Sequence, residues 1–435
     1  MARSSVPVDL EVMRILDETH AWTSIAYQAA HTGGALILDG ASLLDGDGAL
    51  DPARIFEVVE RRIAAVPDLR KKMVRSPLGL TAPVWVPDAD FDVRRHVLIR
   101  DEILELSPRT LAHIVGTDGA PLPQDRPVWD VTFTRLTTGE VAMGMRLHHV
   151  MGDAKWAFET LTLWASDSAA SSAAEGASIQ TLGRPPRTRA LIPVLVAREW
   201  LREQPSFRAG WHEYWRKPFD RRVRRMLGRN VRPIKEWLIR RRGLTARHLP
   251  PGRVSFVEIP MAEATAAAST HGGSITELLV AAAMRAVDDD DRGLDVALPV
   301  SRREKGDRTV RNHVSMLRVH GEPGVPVTEL VSAVRKQIRR YVARIEADPQ
   351  PVGRTIGYAT YVPWVEDERF LLGAQLRRFI VIPAVDARDE LNLFALSYDG
   401  TLYITAKGRA ELDIDGAVAR VRDTLRGEVT AAVSG

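Results

Sequence analysis

The strongest constraint on the fold lies in residues 141–161, where a strand, a short loop and a helix follow one another directly. The run 141–147 is short, mostly apolar and typical of a strand. The run after Asp153 has helical spacing, and Asp153 is well placed to cap that helix. The loop holds two adjacent histidines, His148 and His149, in a chain with 11 histidines. Because neighbouring side chains at a strand end point to opposite faces, we expect the two to have different roles.

Three interpretations fit His148, His149 and Asp153. Metal ligation would need a third or fourth ligand, and the sequence holds no second His/Asp/Glu cluster with suitable spacing. A structural pair beside a helix cap is the second interpretation. General base catalysis is the third, because imidazole titrates near neutral pH and can take a proton from a nucleophile. A covalent nucleophile is disfavoured, since the chain has no cysteine and no Gly-x-Ser-x-Gly elbow.

The bulk composition bounds the class of protein. A chain of 435 residues is long enough for two or three domains. The absence of cysteine excludes disulfides and thiolate zinc sites. There is no apolar run of 18 residues that could span a membrane, and the N-terminus lacks the apolar core of a secretory signal. We therefore expect a cytoplasmic protein.

The pattern along the chain predicts two α/β halves. The first half contains a candidate strand at 34–40 and a helix with apolar spacing at 52–67. An Ala/Ser stretch at 165–178 predicts a poorly ordered boundary. The predicted elements of the second half are a helix at 276–287, a strand at 294–300, a helix over Thr328–Ile345 capped by Thr328, and a hairpin turning at Asp399-Gly400. These halves predict two lobes with a cleft between them.

A basic, aromatic segment separates the halves. Residues 198–242 contain 15 Lys/Arg and 5 Asp/Glu, whereas the whole chain has a net charge of +4. Four tryptophans, at 200, 211, 215 and 237, are interleaved with the arginines. Such a segment is typical of helices at a lipid surface, and a helical connection whose tryptophans pack on the core fits it equally. Nucleic acid is the disfavoured partner, because no recognised binding motif accompanies the charge.

The histidine loop also resembles a known signature. The run HHVMGDA (148–154) is similar to the His-His-x-x-x-Asp-Gly motif of the CoA-dependent acyltransferase superfamily. Residues 67–97 resemble a segment of the bacterial wax ester synthase/diacylglycerol acyltransferase family, and DRPVWDVTF (125–133) resembles its Pro-Leu-Trp block. ALPVSRR (297–303), followed by Asn312, resembles two downstream blocks. These matches run in order over nearly the whole chain, from about residue 7 to 425.

The resemblance implies an α/β fold of two chloramphenicol-acetyltransferase-like lobes, each a mixed sheet with helices, with an active-site tunnel at their interface. We accordingly predict an N-terminal lobe (1–180) carrying the motif, a basic helical connection (181–248) and a C-terminal lobe (249–435). The implied activity is transfer of an acyl group from acyl-CoA to an alcohol, either diacylglycerol or a long-chain alcohol. No cofactor or metal is implied, and residues 198–242 are the candidate contact with a membrane or lipid droplet.

The resemblance also assigns roles to residues. His149 is implied as the general base, His148 as its support and Asp153 as a structural anchor of the loop. Arg302 is the predicted partner of Asp153, because a bidentate ion pair would fix the loop, and Asn312 is predicted to line the substrate cleft. Apart from the resemblance, Trp85 and Trp129 are predicted to be core residues, and His96 is predicted to be an ordinary surface or core histidine.

Two departures from the family pattern keep alternatives open. Ala154 occupies the motif's glycine position, and Thr276-Glu277 replaces a family Asn-Asp pair. An acyltransferase of the same fold that acts on a specialised metabolite hydroxyl or amine, with a carrier-protein thioester as donor, is therefore an alternative. A catalytically silent lipid-binding protein is a second alternative, disfavoured by the intact His149.

Overall fold

Two mixed β-sheets, each packed against helices, form the framework of the protein. The structure is a computed structural model, and it describes residues 8–13, 31–40, 42–117, 121–174, 182–202, 218–220, 252–287, 293–301, 312–343, 354–384 and 389–427. The strands are β1 (Glu11–Val12), β2 (His31–Leu38), β3 (Lys71–Val74), β4 (Val84–Pro87), β5 (Val97–Leu104), β6 (Trp129–Leu136), β7 (Val141–His148), β8 (Ala165–Ser166), β9 (Arg253–Pro260), β10 (Leu294–Ser301), β11 (Val314–Gly321), β12 (Arg354–Pro363), β13 (Phe370–Leu371), β14 (Ala374–Ile382), β15 (Leu391–Tyr398) and β16 (Thr401–Gly408). The helices are α1 (Pro52–Ala64), α2 (Pro108–Val115), α3 (Ala154–Trp164), α4 (Ala169–Ala174), α5 (Ile192–Arg202), α6 (Met261–Thr270), α7 (Ile275–Ala286), α8 (Val327–Val342) and α9 (Ile414–Arg426).

The first sheet has seven strands in the order β5-β6-β7-β2-β14-β13-β8. At its centre β2 pairs antiparallel with β7 on one side and with β14 on the other. The side chains of residues 35–38 in β2 are buried, which confirms the predicted strand there. A strand buried on both faces reads as a continuous apolar run, and the sequence GALIL has that form.

The second sheet has six strands in the order β11-β10-β12-β15-β16-β9. Its middle strands β10, β12 and β15 run parallel, and the flanking pairs are antiparallel. The apolar helix α7 contacts β10 and β12 and lies beside α8 and α9. Almost every side chain of α7 is buried, because the helix is covered by the sheet on one side and by helices on the other.

A third, small sheet in the order β1-β4-β3 lies beside the first. Helix α5 packs on this small sheet, and its Ile192 forms a separate apolar cluster with Val84 and Val86. None of the helices in the described ranges is long and apolar enough to cross a membrane.

Helix α2 approaches the centre of the first sheet very closely at Gly144. A Cβ atom built on Gly144 would lie 2.0 Å from the carbonyl oxygen of Ile114, so the helix backbone rests directly on the strand. Any larger residue at 144 would force the helix away from β7, the strand that ends in the two histidines.

The two sheets do not follow the order of the chain. Strands β13 and β14 come late in the sequence, yet they complete the sheet that contains β2 and β7. The division into residues 1–180, 181–248 and 249–435 stays a prediction, and the topology adds to it an exchange of 370–382 into the N-terminal sheet.

Several local predictions can be compared with the described elements. The hairpin of β15 and β16 turns at Asp399-Gly400 as predicted, with positive φ at both residues. The predicted cap of α8 by Thr328 is wrong: the helix begins at Val327 after Pro326, and the Thr328 hydroxyl bonds His271 instead. The Ala/Ser stretch is also more regular than predicted, because residues 165–174 form β8 and α4.

Candidate active site

The two histidines lie at the end of β7, where the chain leaves the centre of the first sheet. His148 is the last strand residue, and His149 begins a single 3-10 turn that ends at Met151. Helix α3 then starts at Ala154. The structure therefore confirms the predicted strand, loop and helix, and we call residues 148–153 the histidine loop.

The two histidine side chains have different surroundings. His148 is only 1 % exposed, and its Nδ1 accepts a hydrogen bond from the backbone N–H of Val150 at 3.1 Å. A neutral imidazole whose Nδ1 is the acceptor carries its proton on Nε2, so this bond selects one tautomer of His148. His149 is half-buried, and its backbone carbonyl accepts a hydrogen bond from Asn312 Nδ2 at 2.9 Å.

Asp153 connects the histidine loop to both halves of the molecule. Its Oδ1 accepts from the backbone N–H of Trp156 at 3.0 Å, which caps helix α3. Its Oδ2 accepts from the backbone N–H of His313 at 2.9 Å, just before strand β11 of the second sheet. With 4 % of its surface exposed, this carboxylate is a buried link between the sheets.

The predicted site residues are only partly brought together by the described coordinates. His148, His149, Asp153 and Asn312 lie within one hydrogen-bonded group. Arg302, the predicted partner of Asp153, lies outside the described residues, and that pairing stays a prediction. The bond from the backbone N–H of His313 to Asp153 is not among the contacts that the sequence predicts.

The interior of the histidine loop is filled by an aromatic ring. A Cβ atom on Gly152 would lie 2.7 Å from the indole of Trp156, so only glycine allows this ring to lie against the loop. Ala154 is the first residue of α3 and has helical geometry, in which alanine is favourable. The alanine in place of the motif's glycine is therefore compatible with the local backbone.

Arg146 supports the strand immediately below the loop. Its guanidinium forms a bidentate pair with Asp130 on the neighbouring strand β6, at 3.0 and 2.5 Å. Its third bond, 2.7 Å to the carbonyl of Gly116, reaches the C-terminal end of helix α2. Arg146 thus ties strand β6 and the end of helix α2 to β7, two residues before His148.

A further histidine, His31, lies beside His148. The two residues are directly opposite in the antiparallel pair of β2 and β7, and their rings make an edge-to-face contact with centroids 5.6 Å apart. His31 Nε2 accepts from the backbone N–H of Leu122. Burial, followed by the nearby charges of Arg146 and Lys407, lowers the pKa of His31 from 6.5 to about 4.

Sequence reasoning missed His31 because the predicted strand began at residue 34, three positions later. The signal was present only in the strand register, which pairs His31 with His148. Register depends on contacts between distant segments and cannot be read from residues 31–38 alone.

The predicted core residues are confirmed. Trp85 and Trp129 are buried, and His96 stacks on Trp129 with ring centroids 4.4 Å apart. His96 Nδ1 bonds the carbonyl of Trp129 at 2.8 Å. Burial lowers the pKa of His96 and outweighs that hydrogen bond, which acts in the opposite direction.

Glu277, the second residue of the pair that departs from the family pattern, has a structural role here. Glu277 and Ser274 form a capping box at the start of α7. The Glu277 carboxylate also bonds the Arg335 guanidinium on α8 at 3.0 Å. Burial works to raise the pKa of Glu277, but the hydrogen bonds from Arg335 and Ser274 outweigh it and lower that pKa.

No group of three or more His, Asp or Glu side chains in the described ranges is arranged to hold a metal ion. A polar cavity of about 520 Å³ is lined by Asp167, Glu366, Asp367, Glu368, Arg369 and Asp399, none of which belongs to the histidine loop. A tunnel to His149 and metal-free chemistry both stay predictions.

The bond between Asp153 and His313 predicts that removing the Asp153 carboxylate lowers the free energy of unfolding more than the loss of a helix cap alone does. Asp153→Ala removes a helix cap and the link to the second sheet, whereas Asp51→Ala removes the Asp51 cap of α1. A lost cap costs about 1 kcal/mol, and further loss of a charge-assisted bond adds about 2 kcal/mol. Urea or thermal unfolding should therefore show a clearly larger loss for Asp153→Ala. Equal losses would mean that the His313 bond contributes nothing to stability.

The lowered pKa of His31 predicts a pH-dependent stability. Because the folded pKa of about 4 lies below the ordinary 6.5, the unfolded chain binds the proton more tightly. The stabilisation from neutral His31 is complete above pH 6.5 and is lost as the pH falls towards 4, at a rate of at most about 1.4 kcal/mol per pH unit. His31→Gln should flatten this dependence in unfolding measurements between pH 4 and 7, whereas His271→Gln should leave it in place. An unchanged slope in His31→Gln would contradict the prediction.

Known proteins of one family are similar to this chain in sequence. Residues 13–279 match the model of the wax ester synthase/diacylglycerol acyltransferase catalytic domain. Two Mycobacterium tuberculosis H37Rv proteins with the provisional name diacylglycerol O-acyltransferase are similar in sequence. One is 31% identical over 109 residues, covering 24% of this chain and 22% of the relative. The other is 30% identical over 146 residues, covering 32% and 29%. These alignments span less than a third of either relative's length.

Solved structures share the fold over almost the whole chain. The wax ester synthase/diacylglycerol acyltransferase from Marinobacter aquaeolei VT8 superposes with a TM-score of 0.60 at 15% identity, covering 95% of this chain and 98% of that one. The first condensation domain of the calcium-dependent antibiotic synthetase gives 0.59 at 15% identity, covering 96% and 95%. Polyketide synthase associated protein 5 from M. tuberculosis gives 0.59 at 13% identity, covering 96% and 98%.

At these identities the structural matches show the fold alone, which is the predicted two-lobed acyltransferase fold. The family model adds membership, since it matches more than half of the chain and includes the whole histidine loop. This chain belongs to the wax ester synthase/diacylglycerol acyltransferase family.

Proposed function

We propose that this protein transfers an acyl group from acyl-CoA to an alcohol, with His149 as the general base. The observation that carries the proposal is the unequal placement of the two histidines. The ring of His148 is buried and bonded to the loop backbone, whereas His149 follows the strand end and keeps an exposed fraction. A base that must meet a substrate hydroxyl needs that access.

The residues around His149 fit supporting roles. His148 holds the turn through Val150, and Asp153 bonds two backbone N–H groups, one in helix α3 and one just before strand β11. A carboxylate engaged in this way stabilises the loop and is poorly placed to exchange protons with a substrate. The proposed division therefore gives proton transfer to His149 and loop geometry to His148 and Asp153.

The proposed reaction is a direct transfer. His149 takes the proton of the acceptor hydroxyl as the hydroxyl oxygen attacks the thioester carbonyl carbon. A tetrahedral oxyanion forms and must be stabilised by a hydrogen-bond donor. When it collapses, the carbon–sulfur bond breaks, the ester is released, and the CoA thiolate recovers the proton from the His149 imidazolium. No covalent enzyme intermediate and no redox step is needed.

The choice of acceptor rests on family membership. The Marinobacter structure and the M. tuberculosis relatives carry names of wax ester synthases or diacylglycerol O-acyltransferases, which supports a long-chain alcohol or diacylglycerol. A small hydroxyl or amine acceptor with a carrier-bound donor is the alternative, because condensation domains share the fold. Thiol release with acyl-CoA and a panel of alcohol, diacylglycerol and amine acceptors separates the two.

The unequal placement of the histidines predicts unequal effects of their removal. His149→Ala should fold and lose about 10²- to 10⁴-fold in turnover, the usual contribution of a general base. His148→Ala should lose less turnover. Turnover by thiol release and the midpoint of thermal unfolding should be measured together. His271→Ala, which changes the histidine at the end of helix α6, is the control. Near-wild-type turnover by both loop variants would contradict the catalytic role.

We also propose that the protein docks on a lipid surface when its acceptor is held in lipid. The basic, Trp-rich segment 198–242 lies almost entirely outside the described residues, so its support comes from sequence. The described surface adds large apolar side chains that are exposed, among them Leu78 at 85 % and Leu80 at 62 % in the loop between β3 and β4. Exposed apolar side chains are one component of an interface with lipid, and a basic segment is another.

Lipid docking predicts salt-dependent binding to vesicles. Sedimentation with vesicles should rise with the fraction of acidic lipid and fall as salt is added. Each basic residue near such a surface contributes about 1 kcal/mol, so reversing four charges should abolish binding. The proposed variant carries Glu at Arg221, Arg222, Arg224 and Arg225.

The control variant reverses four exposed charges of the C-terminal half instead. It carries Glu at Arg318, Lys336, Arg339 and Arg340, and it should still bind vesicles. Turnover of a short, water-dissolved acceptor should survive in both variants, because His149 lies on a different element. A wild-type protein that ignores acidic vesicles at low salt would contradict lipid docking and favour the small-acceptor alternative.

A further inference from the structure

We propose that Asn312 is a positioning residue for His149, an inference that rests on the proposed function. The histidine loop belongs to the first sheet, whereas Asn312 and His313 directly precede β11 of the second. Asn312 Nδ2 donates to the carbonyl of His149, and the His313 N–H donates to Asp153, both at 2.9 Å. One dipeptide, which directly precedes a strand of the second sheet, therefore bonds the loop at His149 and at Asp153.

Asn312 is placed to hold the backbone and not to meet a substrate from solvent. Its surface is 3 % exposed, and its amide N–H is directed at a main-chain oxygen. The sequence predicted a substrate contact for this residue, but the described geometry gives it a partner inside the protein. The carbonyl of His149 would lose this donor if the amide were removed.

The orientation of the His149 peptide decides where its ring lies. His149 begins a 3-10 turn, so its backbone is held by a short turn and not by the ladder of a strand. A general base must come within about 2.6–3.2 Å of the proton that it removes. A displacement of about 1 Å costs on the order of 10²-fold in rate. A bond that fixes the His149 carbonyl therefore controls the distance on which proton transfer depends.

The bond from Asn312 to His149 also couples the histidine loop of the first sheet to the second sheet. Strand β11 is held by β10 along its whole length, with Val314 opposite Ser301. Asn312 lies two residues before that first pair, so its position follows the second sheet. His149 is thus aligned by the sheet that does not contain it.

The experiment compares Asn312→Ala and Asn312→Asp with Asn392→Ala. Asp keeps the shape of Asn but, when ionised, has no N–H to donate. Asn392 is a matched control, since it is also buried and its amide also bonds backbone groups, at Tyr358 and Ala384, away from the histidine loop. For each protein, kcat, KM for donor and acceptor, and the midpoint of thermal unfolding are measured well below that midpoint.

Both Asn312 variants should lose about 10- to 100-fold in kcat while each KM stays within about twofold. Asn392→Ala should lose stability but keep kcat per folded molecule. A raised KM with unchanged kcat would overturn the positioning role in favour of a substrate contact. Full activity in Asn312→Asp would overturn it in favour of packing alone.

A second measurement does not depend on turnover. In histidine-labelled protein without substrate, the imidazole resonances of His149 should move in Asn312→Ala and stay in place in Asn392→Ala. Unmoved resonances in Asn312→Ala would overturn the inference even if the enzyme is active. Absent thiol release in the wild type, together with moved resonances, would overturn the proposed function and leave the positioning of His149 intact.

Discussion

The geometry of the histidine loop depends on the two hydrogen bonds that the carboxylate of Asp153 accepts. One oxygen caps helix α3 and the other accepts the His313 N–H, so a single buried group fixes the helix that follows the histidine loop against the residues that precede β11 of the second sheet. Buried charges are costly unless they are fully hydrogen-bonded, and both oxygens here have backbone donors. The histidine loop is short and would have little structure of its own. Its geometry follows from being attached on both sides.

Local features of the site could be predicted from sequence because their causes are local. The cap at Asp153 and the apolar run of β7 are properties of neighbouring residues, and both are confirmed. The bond from His313 to Asp153 could not be predicted, because its donor is a backbone N–H 160 residues away. Every residue except proline carries such a donor, so the bond leaves no mark in the sequence. Arg302, the predicted charged partner, lies outside the described residues, so that pairing stays a prediction.

The helix caps also show that contacts with distant segments cannot be predicted from neighbouring residues. Thr328 has the side chain of a capping residue, yet α8 begins one position earlier, after Pro326. The fixed φ of proline suits the residue before a helix, and the Thr328 hydroxyl is used by His271 of a neighbouring segment. At Ser274 and Glu277 the capping box is a local pattern, because both partners lie within four residues. The family's Asn-Asp position is occupied here by a residue with a structural function.

The placement of β14 has a consequence for synthesis of the chain on the ribosome. Strand β2 is complete after 38 residues, but its partner β14 ends at residue 382. At about 5–20 residues per second, β2 waits about 20–70 s with one edge unpaired and its apolar side chains incompletely covered. An unpaired apolar strand edge is a template for wrong pairing between nascent chains. Truncated products that stop before residue 374 would carry this edge permanently, so aggregation of incomplete chains is an inherent cost of the exchanged strand.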